Sequence, residues 1–216
     1  MDTFVRWAGG CWILAGVLGL AGLAHPDSFE IGFAESSRQA LWPAIHLALV
    51  LALILTLFGL AGLAVRHGAA WGRLGNVGTV LTVPGGVVMA GLFLTEALVF
   101  PVLARENAAL LDRDGALLAS MPLQLAGGFI LLWFVGMVIV GLAVERAKVL
   151  PRGTGLLLAI TTVLVAALAG PFVPVAGKVA GVINFGAQAW LGWSLLTSLR
   201  RADAHHVPDQ PLTSEP

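Results

Sequence analysis

Every Lys, Arg, Asp and Glu except Glu96 falls outside six long apolar runs, at 7–24, 41–65, 74–100, 116–144, 155–175 and 179–199. A helix needs about 20 mainly apolar residues to cross the hydrocarbon core of a bilayer. The pattern therefore predicts an all-α polytopic membrane bundle of six transmembrane helices, arranged as three helical hairpins within residues 1–201. Asp112 or Asp114 is placed to cap the fourth run, and Glu145-Arg146 to stop it. The fifth ends in Gly170-Pro171-Phe172-Val173-Pro174, which cannot continue an unbroken helix. Ala176-Gly177-Lys178 is then expected to turn the chain into the sixth. The loop 26–39 is the longest outer connection. Its Phe29, Ile31 and Phe33 are expected to dip into the interface, with Ser36 and Gln39 forming a capping box for the second helix. The polar, proline-containing segment 202–216 reads as a disordered cytoplasmic tail.

Composition makes the membrane reading hard to avoid. Hydrophobic residues make up 58% of the chain, charged residues 11%, and the mean hydropathy is +0.91. A soluble domain averages roughly 45–50% apolar and about 25% charged, and no water-soluble core could hide this excess. The lipid bilayer is the partner implied. A net charge of zero without a Lys/Arg run argues against nucleic acid. Cys11 is the only cysteine, so an intramolecular disulfide is excluded. Positively charged flanks stay cytoplasmic. One side of the six runs carries Arg6, Arg66, Arg73, Arg146, Lys148, Arg152, Arg200 and Arg201, the other only Arg38, Arg105, Arg113 and Lys178. Both termini are therefore expected in the cytoplasm. An alternative stays open: Arg6, an apolar stretch and Gly22-Leu23-Ala24 before His25 also fit a cleaved signal peptide, which would leave five helices.

A shift of 79 residues superposes Pro43 on Pro122, Gly62-Leu63-Ala64-Val65 on Gly141-Leu142-Ala143-Val144, Arg73 on Arg152, Gly91 on Gly170 and Phe93 on Phe172. One register across two runs and a loop suggests a duplicated hairpin in parallel orientation, unlike the inverted repeats of many transporters. Recurrent glycines, such as Gly16, Gly19, Gly78 and Gly85, are expected to let helices approach closely. Pro84-Gly85-Gly86 should kink the third helix, as packing geometry or as a gate. Trp7, Trp42 and Trp71 fall where interfacial anchors belong, and Trp12, Trp133, Trp190 and Trp193 deeper.

Ionisable side chains inside a bilayer are costly, about 2.5–3.5 kcal/mol each when charged at the centre, and so carry information. The runs hold two, His46 and Glu96. At 1.5 Å per residue both lie about 7 Å below the outer boundary, on sequential antiparallel helices, so they are placed to pair. Gln124, Asn184 and Gln188 reach similar depth and His25 stands at the outer end of the first run. Together the six outline an outward-opening polar pocket for a proton, a metal ion or a small polar ligand. The plainer reading is a hydrogen-bonded clamp between helices. His46, Glu96 and His25 could supply three metal ligands, but no local motif supports them, and a b-type haem would need facing histidines where only His46 lies inside a run. No cofactor is therefore expected, and no GxSxG, HExxH, P-loop or GxGxxG motif points to catalysis.

His25-Pro26 closing the first run, Trp42 with His46 opening the second, Gly62-Leu63 closing it, Gly75 opening a glycine-rich third, then Glu96 and Pro101, form a pattern. It resembles a loose group of uncharacterised bacterial six-helix integral membrane proteins of the domain-of-unknown-function type. The resemblance implies a bacterial cytoplasmic membrane and a six-helix bundle, and brings no activity with it. The expected function is that of a non-enzymatic, small-ligand-binding, sensing or accessory component. Glu96 and the Pro84-Gly85-Gly86 break keep a proton-coupled transporter open, and His46 a membrane enzyme or redox subunit.

Overall fold

The computed structural model describes residues 2–168 and 173–204. These fold into helices alone. In chain order they are α1 (Asp2–Gly19, prolonged by a 3-10 turn to Ala24), α2 (Ser28–Ile31), α3 (Phe33–Ser37), α4 (Trp42–His67), α5 (Gly72–Leu98), α6 (Phe100–Glu106), α7 (Met121–Ala147), α8 (Thr154–Leu168) and α9 (Pro174–Ala204). Residues 205–216, most of the expected tail, and Gly170-Pro171-Phe172 lie outside the described residues.

Four stretches are long and apolar enough to cross a membrane, at 2–24, 42–98, 121–147 and 175–200, rather than the six predicted from the runs. The difference has two physical sources. The stretch 42–98 contains both α4 and α5, linked by the 3-10 turn Gly68–Trp71. The chain reverses there through Gly68 and Gly72, whose φ angles of 52° and 57° suit a residue without a Cβ, and α4 packs on α5. The second source is α8, which has 15 described residues and so rises about 22 Å, short of a core about 30 Å thick.

Several local expectations are corrected. The Ala176-Gly177-Lys178 connection is helical, because α9 already opens at Pro174, a residue suited to a first helical turn. Ser120 precedes α7 and Pro122 sits in its first turn, so neither Asp112 nor Asp114 caps it. Instead the Asp112 carbonyl accepts the Gly115 N–H at 2.8 Å in a turn. Ser36 makes no capping box with Gln39; its hydroxyl donates to the Gly32 carbonyl at 2.8 Å within α3. Helix α7 runs through Glu145-Arg146 to Ala147 and stops at Lys148, whose φ of 55° is left-handed, so Glu145 serves another end. Its carboxylate accepts the backbone N–H groups of Gly153 at 3.0 Å and Leu156 at 3.3 Å, satisfying orphan donors at the start of α8.

The six long helices close a ring in the order α1, α4, α5, α7, α8, α9 and back to α1. The sequential pairs α1–α4, α5–α7 and α8–α9 pack as the three expected hairpins, and the α4–α5, α7–α8 and α1–α9 contacts join them into a continuous ring. Small residues make this possible. A Cβ on Gly136 of α7 would meet Thr82 and the Gly78 carbonyl of α5, and one on Gly155 of α8 would meet the Gly141 carbonyl of α7. Helix α5 runs on through Pro84, and Gly85 and Gly86 lie against the backbone and the ring of Trp133. The Pro-Gly-Gly segment thus works as a packing surface. Helices α4 and α7 begin at Trp42 and Met121, in the 79-residue register of the repeat, each with proline second; its Gly170 and Phe172 matches fall outside the described residues.

One half of the ring is filled. Trp12, Leu60, Leu63, Met137, Val140, Val144, Leu158, Leu191 and Leu195 form a continuous apolar core toward the ends of α4, α7 and α9 and the start of α1. At the opposite end, α3 and α6 lie beside α4, with Phe33 against Trp42, Phe100, Ala104 and Leu111. Arg38 locks this cap by donating to the Ala104 carbonyl at 2.6 and 3.2 Å. Phe33 therefore belongs to a packed cap, while Ile31 stays exposed. Trp42 and Trp71 are buried, Trp190 and Trp193 are half exposed, and Trp7 is exposed.

Candidate functional site

The unfilled half of the ring encloses a cavity of about 820 Å³. Each long helix contributes to its wall: Gly19 and Gly22 from α1 and its extension, Leu49 and Leu53 from α4, Phe93 from α5, Ile130 from α7, Val165 from α8, Phe185 from α9. Five of the six residues singled out from sequence line it, namely His25, His46, Gln124, Asn184 and Gln188. Glu96 lies outside the lining and touches the cavity only through His46.

His46 is held on two sides. Its Nε2 lies 2.9 Å from Glu96 Oε2, and its Nδ1 lies 2.8 Å from the Trp42 carbonyl one turn earlier. A carbonyl only accepts, so Nδ1 carries a hydrogen. Nε2 then faces a carboxylate oxygen, and a hydrogen bond between them needs one more proton, on the imidazole or on the carboxyl. Each group thus offers the other a partner in a site where the His46 side chain is 1% and the Glu96 side chain 24% exposed. Trp42 completes the unit, its indole N–H donating to the Glu96 carbonyl at 2.7 Å.

His25 follows the first membrane-length stretch and roofs the unit. Its ring centre lies 5.0 Å from that of His46 and 5.0 Å from that of Trp42. Its Nδ1 donates to the Pro26 carbonyl at 2.6 Å. Burial, followed by the neighbouring His46, holds the His25 imidazole below its ordinary value of 6.5. Among the described residues no three His, Cys, Asp or Glu side chains converge as a metal-binding group.

Asn184 and Gln188 do not join this cluster. They sit with Thr56 about 15 Å deeper along α4 than His46, at 1.5 Å per residue, at the floor of the cavity. Asn184 Nδ2 donates to Thr161 Oγ1 at 3.1 Å and Thr162 Oγ1 at 3.3 Å, Gln188 Nε2 donates to Asn184 Oδ1 at 3.0 Å, and Thr56 Oγ1 lies 3.3 Å from Gln188 Oε1. Gln124 is at the mouth, but its amide turns back to donate to the Leu118 carbonyl at 2.7 Å. The single polar pocket expected from sequence is thus two polar layers, one at the mouth and one at the floor, with an apolar waist of Leu49, Leu53, Met89, Phe93, Ile130 and Phe185.

Sequence reasoning missed Trp42 as a member of the site, together with Thr56, Thr161, Thr162, Asp27 and Lys178. Threonine is cheap in a transmembrane helix and does not stand out in an apolar run. Trp42 opens its helix and so looks like an interfacial anchor. Spacing offers one signal: Asn184 and Gln188 are four apart, so they share a helix face. No family model matches this chain, and no curated protein or solved structure is similar to it, so what the site does must be argued from its own geometry.

Proposed function

We propose that this chain is a non-enzymatic binding protein of a bacterial cytoplasmic membrane, which takes up a small amphipathic molecule from the outer side into the ring. In this reading α1, α4, α5, α7, α8 and α9 each cross the bilayer. The termini and the filled half face the cytoplasm, in keeping with the eight Lys and Arg residues on that side against four on the other. The cavity then opens outward. Its volume carries the reading: about 820 Å³ is within the range of roughly 300–1,000 Å³ typical of small-molecule sites. Such sites are mostly apolar with a few placed polar groups, which is the composition of this lining. Binding is favoured over passage because the core from Trp12 to Leu195 closes the inner half.

A neutral fluorescent probe, N-phenyl-1-naphthylamine, tests this. Gly127 lines the cavity and a Cβ there meets nothing within 4 Å, so Gly127→Trp fills space without striking backbone. Detergent-purified wild type should show saturable fluorescence enhancement, and Gly127→Trp at least tenfold weaker binding. Equal, unsaturable signals from both proteins would refute a binding cavity.

A further inference from the structure

The floor layer has a fixed hydrogen-bond polarity, and this defines the ligand group it can take. The hydroxyls of Thr161 and Thr162 each lie in donor range of carbonyls one turn earlier, to Leu157 at 2.8 Å and Leu158 at 2.7 Å. A hydroxyl has one hydrogen, so toward Asn184 both threonines only accept. Asn184 must therefore present its NH₂ to them and its oxygen to Gln188. Gln188 must in turn present its NH₂ to Asn184 and its oxygen to Thr56. Both Asn184 hydrogens are used by this chain of bonds, but only one of the two on Gln188. The Thr56 hydroxyl is divided between the Ala52 carbonyl at 2.9 Å and Gln188 Oε1 at 3.3 Å. One Gln188 N–H and lone pairs on both amide oxygens are left over among the described residues. Asn184 and Gln188 are 7% and 5% exposed, and both line the cavity. A buried amide with an open donor beside open acceptors costs free energy unless something completes it. No ionisable side chain lines the cavity at this depth, so a charged group would meet only dipoles there.

Resting on the binding reading above, we infer that the floor formed by Thr56, Asn184 and Gln188 is a head-group subsite for an uncharged molecule carrying an adjacent hydrogen-bond acceptor and donor, such as an amide, whose apolar body occupies the waist. The ligand stands head-down. Its carbonyl accepts the free Gln188 N–H, and its own N–H or O–H donates to the Asn184 or Gln188 oxygen. The acyl body lies between Leu49, Leu53, Phe93 and Ile130, and its end reaches the mouth beside His46.

Displacement of bound N-phenyl-1-naphthylamine by four probes with ten-carbon chains, decanamide, decanoate, decylamine and decane, tests the inference. Decanamide should displace at least tenfold better than the other three from wild type. Gln188→Leu, which keeps the size and removes both polar groups, should erase that preference, the four probes being compared with one another within the variant. The mouth variant Gln124→Leu should keep the preference, and so serves as the control for the position of the head. If decanoate matches decanamide, or if the preference survives Gln188→Leu and disappears in Gln124→Leu, the floor subsite is overturned while the binding cavity stands. Should Gln188→Leu fail to fold, Gln188→Glu supplies the test: it replaces the NH₂ by an oxygen, so no N–H is left for the ligand carbonyl, and it should cut the decanamide preference at least fivefold. An unchanged preference there also overturns the subsite. Absence of naphthylamine binding in wild type instead refutes the cavity reading itself.

Discussion

At the scale of single residues, the distinguishing arrangement is the 2.9 Å contact between His46 Nε2 and Glu96 Oε2, with the Trp42 carbonyl holding the other ring nitrogen. Sequence alone could place these two at one depth, because membrane-embedded ionisable residues are rare and rise per residue is constant. It could not find Trp42, whose role depends on burial that an interfacial position does not suggest. His25 gives this scale its prediction. Its imidazole is held below 6.5 in the fold, so on acidification the unfolded chain takes up a proton first. In the window from about 6.5 down to the lower folded value the unfolded state binds more protons, and stability falls as pH falls. Melting temperatures at pH 7.5 and pH 5 should therefore drop further in wild type than in His25→Asn. Equal drops would show that His25 is not desolvated as described.

At the scale of elements, apolar run length located most of the helices and misjudged their ends. Backbone groups inside a bilayer have to bond within their own segment, so an apolar run of sufficient length is a helix. Ends are decided by local geometry instead. Ser120 and Pro122 rather than the aspartates start α7, Pro174 starts α9, and the Gly68 and Gly72 angles turn α4 into α5 without a polar break. Glycine in the runs was legible as close packing, but which glycines pack was not, since that requires knowing the neighbours. Gly155 approaches the α7 backbone through the Gly141 carbonyl and Glu145, whereas Gly127, also in an apolar run, faces open space. Gly155→Leu should accordingly lower the melting temperature by several degrees, through overpacking costs of about 1–3 kcal/mol. Gly127→Ala should leave it within about a degree. Thermal unfolding of the two variants in detergent checks this, and a similar loss from both would argue against the α7–α8 contact.

At the scale of the whole molecule, the ring order brings together what the linear pattern kept apart. A list of runs gives neighbours along the chain, and from it three hairpins are a natural arrangement. The packing of α1 on α9 closes those hairpins into a ring, and a ring of six helices leaves a space at its centre unless large side chains fill it. In the half beside the C-terminal ends of α4, α7 and α9, Trp12, Leu60, Met137, Val140 and Leu191 fill it; in the other half they give way to smaller or more distant groups such as Gly22, Ala52 and Thr56. The cavity is therefore a property of closure, and no single run announces it. Depth along the axis also separates residues that the sequence grouped as one pocket, leaving His25, His46 and Gln124 near the mouth and Asn184 and Gln188 at the floor.

The central claim, that the ring holds a small amphipathic molecule inside itself, is tested most directly by the anomalous scattering of bromine in crystals grown with 10-bromodecanamide. The bromine peak should fall within the ring, above the waist and beside His46 and His25, because the amide head lies at Gln188. A peak found only on the outer, lipid-facing surface of the helices, with none between them, would contradict it.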